Sequence, residues 1–296
     1  MFLFVYGTLC KNEPNHHLLE DAQLVSEQAW VHGSLYRGKS YYPLLTHSES
    51  ELVYGELYNI DESTLNKIDK LEGYSPSDPS SLFTREKVKV TSEYFTNQAF
   101  TYFASPPLEK VEKIEHGDWK VEQQLQREKL YYFAFGSCMD QERFIQGKVD
   151  HHFRNVAGPA VLNGYQLAFG IHLEDGARAD IRENQHEKVE GVLYHIEINA
   201  LDYLYMREGV NNHHYRPTVV DVKCNGEILQ VLTFTVLEKK EDIAVPLHYA
   251  KEIYRGASKY LSSAYVDRIV QTFTIDNPVK GFSAFISEND EKKRLL

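Results

Sequence analysis

One block of sequence occurs twice in this chain, so whatever fold it adopts must accommodate that block in duplicate. Gly55-Glu56-Leu57-Tyr58-Asn59-Ile60 is followed by Leu65 and then Glu72-Gly73. Gly191-Val192-Leu193-Tyr194-His195-Ile196 is followed by Leu201 and then Glu208-Gly209, so each Glu lies 17 residues beyond its Gly. Ahead of each block comes an apolar run ending in a small-residue turn, Phe4-Val5-Tyr6-Gly7-Thr8-Leu9 and Phe133-Ala134-Phe135-Gly136-Ser137-Cys138. A duplicated domain accounts for this order better than chance. The length of 296 residues agrees, because it suits two domains of about 150 residues, each able to bury its own core.

Strand-like runs dominate both halves. In the first they fall at 2–7, 52–60, 86–91 and 99–103, with Val88-Lys89-Val90 alternating as a half-buried strand does. In the second they fall at 130–136, 189–196, 218–223 and 227–236. Between the second and third strand of each set the spacing turns helical, through Leu65, Ile68 and Leu71 and through Leu201, Leu204 and Tyr205. Asp61 or Ser63 is placed to cap the first of these helices. Each repeated Glu therefore falls at a helix C-terminus beside a glycine suited to end it. From Leu108 to Lys129 the chain is charged and Gln-rich, either a tail helix on the first domain or a linker, and the boundary is set near Arg127. Residues 246–272 read as one or two helices that only the second copy has.

Composition excludes several classes. Net charge is −11, and both halves are acidic, so neither offers the basic field that nucleic acid requires. The start Met1-Phe2-Leu3-Phe4-Val5 lacks a basic leader and is too short for a signal peptide, and no stretch approaches 18 apolar residues. A cytoplasmic protein without membrane contact is expected. Cys10, Cys138 and Cys224 are scattered with no CxxC pair, which fits a reducing compartment and argues against a disulfide framework or thiolate zinc site. The His pairs 16–17, 151–152 and 213–214 point their two rings apart and read as loop histidines, so no metal is expected. His213-His214 nevertheless follow Glu208 closely enough to line its pocket.

A helix C-terminus disfavours negative charge. Glu72 or Glu208 held there and partly buried would have a raised pKa, which suits a general base working near neutral pH. In the turns Tyr6-Gly7-Thr8-Leu9 and Phe135-Gly136-Ser137-Cys138, glycine lets a ligand approach the backbone, while successive N–H groups and the Thr8 or Ser137 hydroxyl can bind a carboxylate or oxyanion. Arg85 and Arg216 each precede a strand and are candidates for a substrate carboxylate. Tyr36, Tyr41, Tyr42 and Tyr54 read as barrel packing with polar tips. Cys138 as a nucleophile is the weaker reading, since Leu9 stands at the matching place.

These motifs together resemble the γ-glutamylcyclotransferase-like superfamily. Tyr6-Gly7-Thr8-Leu9, Gly55-Glu56-Leu57-Tyr58, Glu72-Gly73, Arg85 and Gly117-Asp118-Trp119 look like its γ-glutamylamine cyclotransferase branch. Phe135-Gly136-Ser137, Gly191-Val192-Leu193-Tyr194, Arg207-Glu208-Gly209-Val210, Tyr215 and Gly256-Ala257 look like its γ-glutamylcyclotransferase branch. The resemblance implies an α+β fold of two tandem domains, 1–127 and 128–296, each a small mixed β-barrel with flanking helices. It implies cyclisation of a small γ-glutamyl amine or amino acid to 5-oxoproline, with no cofactor. By it Glu72 and Glu208 are the general bases, and residues 6–9 and 135–138 bind substrate. The second copy departs from the pattern at Phe135, Cys138 and Asp180, where Tyr, Asn and Asn are usual. The alternative expectation is that one copy is a binding or regulatory module that does not turn its ligand over.

Overall fold

A computed structural model describes residues 1–39, 42–78, 80–106 and 112–294. Tyr41 and the start of the Gln-rich segment, residues 107–111, lie outside the described residues. The chain divides into two compact units, Met1–Gln123 and Gln124–Leu296.

The first unit runs β1 (Phe2–Val5), β2 (Gln23–His32), β3 (Ser34–Arg37), β4 (Pro43–Thr46), β5 (Leu52–Asn59), α1 (Glu62–Leu71), β6 (Phe83–Thr91), β7 (Thr96–Ala104), β8 (Glu112–Lys113) and the start of α2 (Trp119–Leu125). The second runs β9 (Lys129–Ala134), α3 (Gln141–Gln146), β10 (Val156–Leu173), β11 (Gly176–Glu197), α4 (Ala200–Arg207), β12 (Tyr215–Cys224), β13 (Glu227–Val236), α5 (Leu247–Tyr260), α6 (Ser263–Gln271) and α7 (Phe282–Arg294).

Five strands close a barrel in each unit, in the order β1-β5-β2-β6-β7 and, read from the matching strand, β9-β11-β10-β12-β13. The two orders are the same. Even the closing contact is shared, with β1 meeting β7 in parallel at Leu3 and Phe100, and β9 meeting β13 in parallel at Tyr132 and Leu232. All other pairings are antiparallel, which makes each barrel mixed.

β1 is apolar at consecutive positions because both of its faces are covered. Phe4 and Tyr6 point into one core with Val31, Val53, Leu57 and Phe103, while Leu3 and Val5 pack outside it with Leu65, Ile68 and Phe83. The repeated glycine has a steric cause. A Cβ on Gly55 would lie 2.1 Å from the Val5 carbonyl oxygen, and one on Gly191 2.4 Å from that of Ala134. Only glycine lets the central strand approach its neighbour so closely.

α1 is capped as its sequence predicts, the Asp61 carboxylate accepting from the Thr64 N–H at 2.7 Å. Leu65 and Ile68 are buried, but Leu71 at the last turn is 42% exposed. Glu72 and Glu208 are the C-cap residues of α1 and α4, and the following Gly73 and Gly209 take left-handed φ of +64° and +60°. Five strands go unread in the sequence, the short β3, β4 and β8 and two barrel strands whose alternation is interrupted. β2 carries two bulges, and β10 carries Gly158 and Gly164 at positive φ. Residues 246–272 form α5 and α6, and α7 follows them.

Candidate active site

In the first unit, the end of β1, the turn after it and the end of α1 converge on a cavity of about 250 Å³. Its lining includes Tyr6, Gly7, Thr8 and Leu9 together with Glu72, as the sequence expects, and adds Asn15, Tyr42, Pro43, Leu82, Phe83 and Tyr102. The turn is tightened by the Cys10 N–H donating to the Gly7 carbonyl at 2.9 Å. Asn15 fixes its middle, donating through its backbone N–H to the Thr8 carbonyl at 2.9 Å and through Nδ2 to Thr8 Oγ1 at 3.0 Å. Among the described residues no hydrogen bond takes up the N–H groups of Thr8 and Leu9. Gly7 permits Pro43 to close over the turn, since a Cβ there would sit 2.7 Å from Pro43 Cγ.

Burial alone pushes the Glu72 carboxyl up to about 7, because no cation near it favours the charged form. A carboxyl with this pKa accepts and returns a proton readily at neutral pH. Among the described residues no Lys, Arg or His lines the cavity. Arg85 instead pairs with Asp69 at 2.5 Å, and Asp69 also accepts from the Tyr102 hydroxyl at 2.8 Å. It buttresses a lining residue rather than reaching the cavity, in contrast to its expected role as a carboxylate receptor. Tyr42, expected only to pack, lines the cavity and meets Phe83 edge-on.

The second unit brings together the corresponding residues with little space between them. Phe135, Gly136, Ser137, Cys138 and Glu208 line a cavity of about 30 Å³ with Tyr132, Ala179, Tyr215, Phe234 and Tyr249. Such a volume has room for one or two waters. Cys138 Sγ lies 3.7 Å from Glu208 Oε1, and Arg207 donates to Ser137 Oγ at 3.0 Å. Arg207 stands where the first unit has Leu71. Burial raises the Glu208 pKa against the opposing pull of Arg207 and Cys138. The Cys138 thiol is pushed up to about 12, by burial and then by Glu208, and a thiol so protonated is no nucleophile.

The Tyr249 hydroxyl oxygen, from a helix the first unit lacks, accepts from the Ala179 N–H at 3.1 Å and lies against Gly136. His213 and His214 are exposed and do not line this cavity, so adjacency to Glu208 in sequence misleads there. Arg216 is buried and donates to the Pro217 carbonyl at 3.3 Å, also away from the cavity lining. Asp180 is fully buried, accepting from Val236 N–H at 2.9 Å and pairing with Lys239 at 3.1 Å, so it braces the barrel.

Two closed five-stranded barrels of one topology, each with a helix-capping Glu facing a glycine turn, define a tandem protein of the γ-glutamylcyclotransferase type. Family comparison agrees: residues 3–121 match the "Gamma-glutamyl cyclotransferase, AIG2-like" family and residues 188–269 the "AIG2-like family". The YkqA protein of Bacillus subtilis, provisionally designated a γ-glutamylcyclotransferase, is 43% identical over 278 residues, covering 90% of this chain and 95% of its own. The chain therefore belongs to this family. The crystal structure of YkqA superposes with a TM-score of 0.83, covering 94% of this chain and 98% of that one. The γ-L-glutamyl-butirosin B γ-glutamyl cyclotransferase of Niallia circulans is 39% identical over 119 residues, 40% of this chain and 74% of its own length. Among the described residues no helix is long and apolar enough to cross a membrane.

Proposed function

We propose that the chain cyclises a small γ-glutamyl compound to 5-oxoproline at the first cavity, with Glu72 as the proton-transfer group, and that 1–127 and 128–296 are its two functional domains. The observation that carries this reading is the half-buried, uncompensated Glu72 carboxyl, pushed up to about 7 in the wall of a 250 Å³ cavity. The ionised Glu72 takes a proton from the substrate's α-ammonium. The freed amine attacks the γ-carbonyl carbon of the same molecule, closing a five-membered ring. The negative charge that develops on the carbonyl oxygen is met by the Thr8 and Leu9 N–H groups. As the tetrahedral centre collapses, the γ C–N bond breaks and Glu72 returns its proton to the departing nitrogen, then takes the second proton of the ring nitrogen and passes it to the released amine, which leaves as its ammonium. Intramolecular attack supplies much of the rate, so neither a protein nucleophile nor a cofactor is needed.

The absence of a cation among the described residues of the cavity lining, with Leu71 and Leu82 exposed at its margin, favours a leaving amine without a carboxylate. The Niallia circulans relative, whose name gives γ-L-glutamyl-butirosin B as substrate, supports release from an amine. For the second unit, the 30 Å³ cavity weighs against turnover and leaves the alternative of a non-catalytic, regulatory module. The test is 5-oxoproline release from γ-glutamyl-n-butylamine, γ-glutamyl-alanine and glutathione. Release that disappears in Glu72→Gln supports the reading; release that persists unchanged removes it.

A further inference from the structure

Beneath the turn of the first unit lies a buried ion pair that the proton-transfer scheme does not use. Glu56, on β5, is 1% exposed. Its carboxylate takes three donors: the Lys11 backbone N–H at 2.8 Å, the Tyr58 hydroxyl at 2.7 Å and the ammonium of Lys120 on α2. Lys11 is the residue immediately after turn 7–10, and its side chain is itself held by Glu27 at 3.3 Å. Together with Asn15 on Thr8, Glu56 secures the turn from its far end.

A buried carboxylate is costly to desolvate even when paired, so its presence asks for a reason. Barrel closure does not supply one. At the matching position the second barrel has Val192 and closes with the same strand order. There the matching turn is fastened by other means. Asp140, which corresponds to Lys11, accepts from Glu142 N–H at 3.3 Å and pairs with Arg255 on α5, while Met139 packs on Gly256. Each turn thus has one partly or fully buried charge pair at its far end, drawn from unrelated elements.

We propose that Glu56 is a positioning residue for the first cavity, holding turn 7–10 through the Lys11 N–H so that the Thr8 and Leu9 N–H groups face the reacting carbonyl. This rests on the cyclotransferase reading above. The requirement is an acceptor at one place in space. A carboxylate one methylene shorter can keep Lys120, whose long side chain follows it, but cannot keep a backbone N–H.

Kinetics of the full chain with γ-glutamyl-n-butylamine test this, with thermal melts in parallel. Glu56→Leu combined with Lys120→Met removes both charges and the acceptor. Its kcat should fall about 10- to 100-fold with KM changed by no more than about threefold. Glu56→Gln with Lys120→Met retains an acceptor and should remain within about threefold of wild type. The pH midpoint that reports Glu72 should stay put in both. Glu56→Asp, which keeps the ion pair, covers the case in which the leucine variant does not fold, and it should show the same loss in kcat. Wild-type kcat in a folded leucine or aspartate variant overturns the proposal, as does equal loss in the glutamine variant. Absence of release by the wild-type chain from all three γ-glutamyl compounds overturns the cyclotransferase reading itself, and this inference with it.

Discussion

Two acidic side chains in matching positions face different chemistry. Glu72 has burial as the sole cause of its shift to about 7, so its ionised fraction, and with it kcat/KM, should rise with pH through a midpoint near 7. A rate flat between pH 5.5 and 8.5 contradicts the assignment. The same shift affects stability. The folded state holds its Glu72 proton to about pH 7 and the unfolded state releases it near 4.5, so stability falls as pH rises across that window. Glu72→Gln should consequently melt higher than wild type at pH 8, by on the order of 2 kcal/mol, with the difference gone at pH 4. Cys138, pushed up to about 12, should resist iodoacetamide at pH 7.5 in the folded chain, and Cys138→Ala should leave 5-oxoproline release intact. Glu72 and the turn 6–9 were legible in the sequence because they recur in a second copy. Asn15, Tyr42 and Leu82 were not, because only the closure of the barrel brings their loops to the cavity, and no local pattern records that.

At the scale of elements, the readable features were those with a local steric or periodic cause. β5 and β11 announce themselves through long apolar runs and a glycine that the neighbouring strand demands. β2 and β10 do not, because bulges shift their faces and place polar residues where alternation expects apolar ones. Arg85 and Arg216, read from their place ahead of a strand, are claimed by Asp69 and the Pro217 carbonyl, while His213-His214, read by proximity to Glu208, lie exposed away from its cavity. Gly55→Ala tests the steric reading of the repeat. A Cβ 2.1 Å from a backbone oxygen cannot be relieved by a rotamer change, so β1 must move. The variant should lose about 3 kcal/mol in urea denaturation. It should also lose 5-oxoproline release below its melting temperature, because β1 carries turn 6–9. A variant with wild-type stability would mean that the strand pair tolerates a wider spacing and that the glycine has another origin.

Across the whole molecule, duplication has kept the scaffold and altered the sites. Strand order, the capping Glu and its following glycine recur in both units, whereas the cavities differ from about 250 to about 30 Å³. The difference traces to particular substitutions. Arg207 replaces Leu71 and reaches Ser137, Cys138 replaces Leu9 and meets Glu208, and Tyr249 arrives on a helix the first unit lacks. A general base needs both a raised pKa and a place for substrate, and Glu208 has only the first. Turnover should therefore follow Glu72. In the full chain, Glu72→Gln should lower kcat/KM for γ-glutamyl-n-butylamine about 10²- to 10⁴-fold, while Glu208→Gln should change it less than about twofold. Calorimetric titration with 5-oxoproline separates the sites further, since one binding event lost in Glu72→Gln and retained in Glu208→Gln places the ligand in the first cavity. Comparable losses of turnover in both variants would require the second cavity to open in solution, with Arg207 and Tyr249 moving off the turn that they now cover.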